Sequence, residues 1–118
     1  EKDKAITLLD TYFKAFPDMN FPYDFDILPF LQSYVEAGAY DKAKTQMKIL
    51  AKNTLASLKF YTSLSTTDLE RGFSSEYGYT LKTVDEMQEI AKKGKDEAYA
   101  KELHDMFSKY YVKKEPVK

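Results

Sequence analysis

One histidine, His104, and no cysteine leave little from which a catalytic or metal centre could be assembled. A single imidazole rules out multi-histidine metal sites, and the absence of thiols removes disulfides and cysteine nucleophiles together. His104 stands beside Asp105, between the apolar Leu103 and Met106. It reads as a surface residue, because no second element of a nucleophile–histidine–carboxylate triad surrounds it. The glycines at 38, 72, 78 and 94 are too scattered for a loop that cradles phosphate. Carboxylates are the remaining chemistry. Asp85, Glu86 and Glu89 fall within about one helical turn, and Glu97, Glu102 and Asp105 form a second group. Neither has the Glu-x-x-His spacing of a carboxylate-bridged metal bundle. A glycosidase's pair of acids would need a cleft that nothing in the sequence marks. Both groups read as solvated acidic faces, and Lys42, Lys44, Lys48 and Lys52 read as a solvated basic one. No catalytic residue, cofactor or metal is expected. The ten tyrosines are more informative. Tyr12, Tyr34, Tyr61, Tyr77, Tyr99 and Tyr110 lie on apolar helical stripes and are expected in the core, hydroxyls at its edge. Tyr23 and Tyr79 have no such place, which makes them candidate contacts in a groove for peptide or sugar.

Charge narrows the partners. Eighteen basic against nineteen acidic residues give a net charge of -1, which removes the general attraction to phosphate on which nucleic-acid binders rely. A content of 43% hydrophobic and 31% charged residues is that of a globular chain. The apolar run Ile27–Leu31 is interrupted by Pro29 and far too short to span a bilayer, so no direct membrane insertion is expected. No signal peptide opens the chain. A start at Glu1-Lys2-Asp3, without methionine, suggests a segment excised from something longer. Residues 1–112 are expected to form one helical domain, with 113–118 a polar, fraying tail.

The elements that position these residues are all helical. Ile6, Leu9, Phe13 and Phe16 recur at three- and four-residue spacing until Pro17 ends the helix. Two prolines with Asp18 and Asn20 make 17–24 a loop. Asp24 or Asp26 can then cap a helix that carries Ile27, Phe30, Leu31, Tyr34 and Val35, with Pro29 tolerated near its first turn and Gly38 closing it. Asp41 is expected to cap the longest helix, 41–64, on the stripe Ala43, Met47, Leu50, Thr54, Leu58 and Tyr61. Thr67 with Glu70 fits a capping box. The stripe Leu69, Phe73, Tyr77, Leu81, Val84, Met87 and Ala91 then predicts one helix over 67–93, bent or broken, if anywhere, near Gly78. Lys92-Lys93-Gly94 ends it. A last helix, 96–111, brings Tyr99, Leu103, Met106, Phe107 and Tyr110 inward. The expectation is all-α: five antiparallel helices.

Periodicity suggests how the helices pair. Ile27, Tyr34, Gly38, Tyr40, Ala43 and Met47, with the compact run Gly38-Ala39-Tyr40-Asp41-Lys42-Ala43, resemble the tetratricopeptide repeat. There, apolar residues open one helix, a glycine marks the turn, and a small alanine lets two helices approach. Ala5, Leu9, Tyr12 and Pro17 read as the second half of an earlier unit, and Ile90, Gly94, Asp96, Ala98 and Ala100 as a degenerate third. The interval from Ala5 to Ala43 is 38 residues against the repeat's usual 34. The expected architecture is therefore a right-handed superhelical array, with a plain antiparallel bundle as the alternative. In such an array Gln32 and Glu36 would face a concave groove. The carboxylate clamp of chaperone-binding relatives uses Lys and Asn there, whereas this chain has Leu28, Gln32 and Glu36, which speaks against binding of chaperone tails.

A second resemblance covers nearly the whole chain. It is carried by Ala15-Phe16-Pro17-Asp18-Met19-Asn20-Phe21-Pro22-Tyr23-Asp24, by Tyr34-Val35-Glu36-Ala37-Gly38-Ala39-Tyr40-Asp41-Lys42-Ala43, and by Asp68-Leu69-Glu70-Arg71-Gly72-Phe73. These segments are similar to the C-terminal region of a family of multi-pass membrane proteins of unknown function from Bacteroidetes-type bacteria, themselves similar to protein O-mannosyltransferases. The resemblance implies a soluble helical-repeat domain on the periplasmic side of the inner membrane, attached to a glycosyltransferase-like body that holds any catalytic residues. Its expected partner is a protein acceptor or subunit. The alternative is a structural role, packing on its own membrane portion or self-associating.

Overall fold

The structure, a computed structural model, describes residues 2–114, and the side chains of residues 2–110. Among the described residues there is no β-strand. Six helices follow one another: α1 (Lys2–Ala15), α2 (Leu28–Glu36), α3 (Tyr40–Ser63), α4 (Thr66–Gly72), α5 (Ser74–Lys93) and α6 (Glu97–Lys114), with a 3-10 turn at Phe25–Ile27 before α2. No helix among these residues is long and apolar enough to cross a membrane.

Local chemistry sets most of the boundaries. α1 stops at Ala15, two residues before Pro17. In the loop that follows, the Asp18 carboxylate accepts from the Tyr23 N–H at 2.8 Å and from the Asn53 amide of α3 at 2.7 Å. This staples the loop to the middle of the longest helix. Asp24 caps the 3-10 turn by accepting from the Asp26 N–H, and Pro29 sits in the first turn of α2. Gly38, at φ +84, ends α2 in the left-handed geometry that glycine accepts without steric cost. The Ala39 N–H then closes back onto the Tyr34 carbonyl at 2.8 Å.

Three caps differ from expectation. α3 begins at Tyr40 with Ala39 as its N-cap, so Asp41 lies in the first turn, where it favours the helix dipole without capping. Ser65, not Thr67, caps α4 by accepting from the Asp68 N–H at 3.1 Å. At the end of α5 the left-handed residue is Lys95 (φ 61), not Gly94, whose φ is an ordinary -80. A lysine in this conformation carries a steric cost of about 1–2 kcal/mol. Lys95→Gly is therefore expected to stabilise the chain by about 0.5–1 kcal/mol once the flexibility of glycine in the unfolded chain is counted. Urea unfolding of the two proteins checks this.

The predicted single helix over 67–93 is two helices. The break falls at Phe73 (φ -138, ψ 13) and not at Gly78, which lies within α5. Phe73 turns its ring against Phe60 and Tyr61 at the end of α3, with centroids 5.3 and 5.7 Å apart. One non-helical residue barely disturbs the apolar period, so the stripe read as continuous. The last helix runs to Lys114, past the expected end at 111. Residues 113 and 114 of the expected tail are thus helical, and 115–118 lie outside the described residues.

α2 and α3 form one antiparallel hairpin, and α5 and α6 form another. α3 lies centrally, touching α2, α5 and α6, while α5 also touches α2 and α1 packs on α2. The core follows the stripes. Ile27, Leu31, Tyr34, Ala43, Met47, Leu50 and Leu58 are buried against Val84, Met87, Ile90, Leu103 and Phe107. The assembly is flat and long, 50 × 30 × 18 Å, with a radius of gyration of 15.3 Å, against about 13.5 Å for a compact domain of this length. Helix hairpins laid side by side account for that shape.

The two hairpin turns lock together. Tyr40, at the start of α3, lies against Gly94, and its hydroxyl donates to Asp96 Oδ2 at 2.7 Å. Asp96 also accepts from the Tyr99 N–H as the cap of α6 and pairs with Lys44 at 2.8 Å. The Lys44 ammonium, then the Tyr40 hydroxyl, hold the Asp96 carboxyl down at about 2, while burial and the Asp96 charge push the Tyr40 hydroxyl up. A carboxylate whose folded pKa is depressed contributes its full stabilisation above its unfolded value and loses it as pH falls through the folded one. The effect should therefore disappear from about pH 4 down to about pH 2, and amount to about 1–2 kcal/mol after allowance for screening. Urea midpoints across this range in wild type and Asp96→Asn check it: the variant should lack this part of the acid sensitivity.

Candidate functional site

The residues singled out in the sequence do not form one groove. Gln32 is half-buried and donates from Nε2 to Glu86 Oε1 at 3.2 Å, so it bridges α2 and α5. Glu36 is exposed at the far end of α2. Tyr23 is only 5% exposed. The expectation of a loop tyrosine free for contacts is thus corrected: its ring packs edge-on against Phe13 at 5.6 Å, and burial raises its hydroxyl pKa. Tyr79 is 56% exposed, its ring 5.3 Å from that of Phe25. Of the repeat positions, Ile27, Tyr34, Ala43 and Met47 are buried, Tyr40 is half-buried, and Gly38 makes the turn. The Tyr34 hydroxyl reaches the edge of the core and donates to Asp10 at 2.7 Å. Tyr12, Tyr61 and Tyr77 are half-buried, and His104 is exposed on α6.

Tyr23 and Tyr79 do share a cleft of about 580 Å³, a size typical of ligand sites. Three elements build it. The 3-10 turn brings Asp24, Phe25 and Asp26, the second half of α3 brings Asn53, Thr54, Ser57 and Tyr61, and the first half of α5 brings Glu76, Tyr79, Thr80 and Thr83. The Asp18–Asn53 staple fixes the 3-10 side relative to α3, with Asn53 also donating to the Tyr23 carbonyl at 3.1 Å. The sequence reading missed most of these residues. A signal existed: Asn53 and Ser57, four residues apart, make a polar row beside the apolar stripe of α3 that carries Tyr61. Glu76, Thr80 and Thr83 make the corresponding row on α5.

What the cleft offers chemically is three carboxylates, hydroxyls, one amide and four aromatic rings. No Lys, Arg, His or Cys is among its lining residues. Among the described residues no group of three or more His, Cys, Asp or Glu side chains is arranged to hold a metal. Fold and site together define the class: an all-helical chain of antiparallel hairpins with an acidic, aromatic cleft where two hairpins meet. No family model, no curated protein and no solved structure matches the chain.

Proposed function

We propose that this chain is a non-catalytic helical-repeat interaction module that binds a protein partner. In this reading α2/α3 and α5/α6 are successive units of a tetratricopeptide-like array and α1 is the second half of a preceding unit. Following the resemblance described above, the module sits at the C-terminus of a membrane glycosyltransferase-like protein, on the periplasmic side, and its partner is a protein acceptor or subunit. The observation that carries the reading is the cleft at the junction of the hairpins, where an exposed aromatic ring, Tyr79, lies beside polar side chains. Exposed aromatics next to hydrogen-bonding groups are characteristic anchors of protein interfaces.

The alternative, a structural domain that self-associates or packs on its own membrane portion, is favoured by one observation. Leu8, Phe16, Met19 and Phe21 are exposed on α1 and the loop after it, with the Phe16 and Phe21 rings in contact, and exposed apolar side chains gathered in a patch attract a covering surface. Light scattering on the eluting protein separates the two readings. A monomer whose partner recovery falls with Tyr79→Ala supports the interaction module. A dimer dissociated by Leu8→Glu, with partner recovery indifferent to Tyr79, supports the structural role.

A further inference from the structure

The cleft has a chemical asymmetry: its amide and its three threonine hydroxyls are already committed as donors, while its three carboxylates are not matched by a basic lining residue. Thr54 and Thr83, 5% and 2% exposed, are its buried threonines. Thr54 donates to the Leu50 carbonyl at 2.7 Å and Thr83 to the Tyr79 carbonyl at 2.8 Å. Thr80 likewise donates to the Glu76 carbonyl at 2.7 Å. A hydroxyl whose proton is bound to its own helix has only its lone pairs left to offer another partner. The Asn53 amide nitrogen donates to Asp18 and to the Tyr23 carbonyl, which leaves its oxygen as an acceptor. Around these, Asp26 and Glu76 are exposed carboxylates that take part in none of the ion pairs among the described residues. The cleft is thus rich in acceptors and negative, with no Lys or Arg among its lining residues.

Its wall has the same preference. The Phe25 and Tyr79 rings stand together, and an aromatic face attracts a cation. The Lys82 ammonium already lies over the Phe25 ring at 5.9 Å, an instance of that attraction within the chain. A ligand complementary to these features brings several N–H donors, a positive charge and a flat face that stacks. A guanidinium has all three, and an ammonium has the first two.

We propose that the cleft receives a basic side chain, arginine foremost, from an extended segment of a protein partner. This rests on the reading of the chain as a protein-interaction module and names the chemistry that its cleft recognises. Carboxylates and acceptor oxygens bind the guanidinium edge while Tyr79 and Phe25 hold its face. Flanking backbone lies along the rest of the opening.

The test is an amide NMR titration of the 118-residue chain with a blocked pentapeptide carrying one arginine between glycines. Parallel titrations use the same peptide with lysine or with citrulline, the neutral isostere, and a mannose disaccharide. The arginine peptide should shift the amides of Thr54, Tyr79, Thr80 and Thr83 and saturate, and added salt should weaken it. Citrulline should bind about fivefold or more weakly, and the double variant Asp26→Asn/Glu76→Gln should lose about as much at unchanged melting temperature. Citrulline binding as tightly as arginine, shifts scattered over the surface, or tighter binding of the disaccharide at these amides would each overturn the inference. Failure of the module reading looks different. If partner recovery depends on Tyr79 but not on the two carboxylates, the module reading stands and only the basic occupant is lost. If the protein is a dimer with recovery indifferent to Tyr79, the module reading itself falls.

Discussion

Replacing Gly94 by alanine is expected to cost about 2–3 kcal/mol of stability, although alanine suits the backbone there. A Cβ at this position would stand 2.5 Å from Tyr40 Cγ and closer still to Cδ1, where carbon atoms need about 3.5 Å. Cγ is the root of the ring, so a small swing of the ring's tip does not relieve the clash. The tip is tethered as well, by the hydroxyl bond to Asp96. Moving the ring therefore loosens the bond that joins the turn before α3 to the turn before α6, and disturbs the Lys44–Asp96 pair. The sign should reverse once the ring is gone. In a Tyr40→Ala background, Gly94→Ala should stabilise by about 0.5–1 kcal/mol, because φ -80 is ordinary for alanine and the unfolded chain becomes stiffer. Urea unfolding of the four proteins reads both effects as one coupling energy.

Ala43→Leu is expected to cost about 3 kcal/mol, at the upper end of what overpacking usually costs. Ala43 is fully buried at the end of the first turn of α3, and the three added carbons have nowhere to go in an interior packed as densely as an organic crystal. Ala56, on the same helix, is exposed. Ala56→Leu should change stability by no more than about 0.5 kcal/mol. This comparison separates the close approach of helices from any general effect of leucine on α3. A melting temperature unchanged in Ala43→Leu would mean that the small residue is not what brings the helices together.

Both positions show what was legible in the sequence. The stripes gave the helical class, the buried faces of α3, α5 and α6, and the turn at Gly38, because apolar period and left-handed geometry leave direct marks on residue choice. Gly94 was recognised as an end signal for the wrong reason. Its role is to leave room for a ring 54 positions away in the chain, and such a contact has no local signature. Phe73 hid the break between α4 and α5 because a one-residue interruption keeps the period. In the cleft, Tyr79 reads as an aromatic off the main stripe, and it is exposed. Tyr23 reads as exposed because a loop residue carries no periodicity; it lines the cleft but is buried, packed on Phe13 beside the staple from Asn53. The polar rows on α3 and α5 were readable singly, but that they face one another follows from the hairpin arrangement, which no single window of sequence contains.

The central claim, that the cleft is where this chain meets a protein partner through a basic side chain, is tested most directly by site-specific photo-crosslinking in the cells that make it. A photoreactive residue is placed in turn at Tyr79, in the cleft, at Glu36, outside it, and at Leu8, on α1. The expected result is one discrete protein adduct from position 79, abolished by Asp26→Asn/Glu76→Gln and competed by the arginine peptide but not by its citrulline counterpart. An adduct from position 8 or 36 in its place, or one from position 79 that survives loss of the two carboxylates, would contradict it.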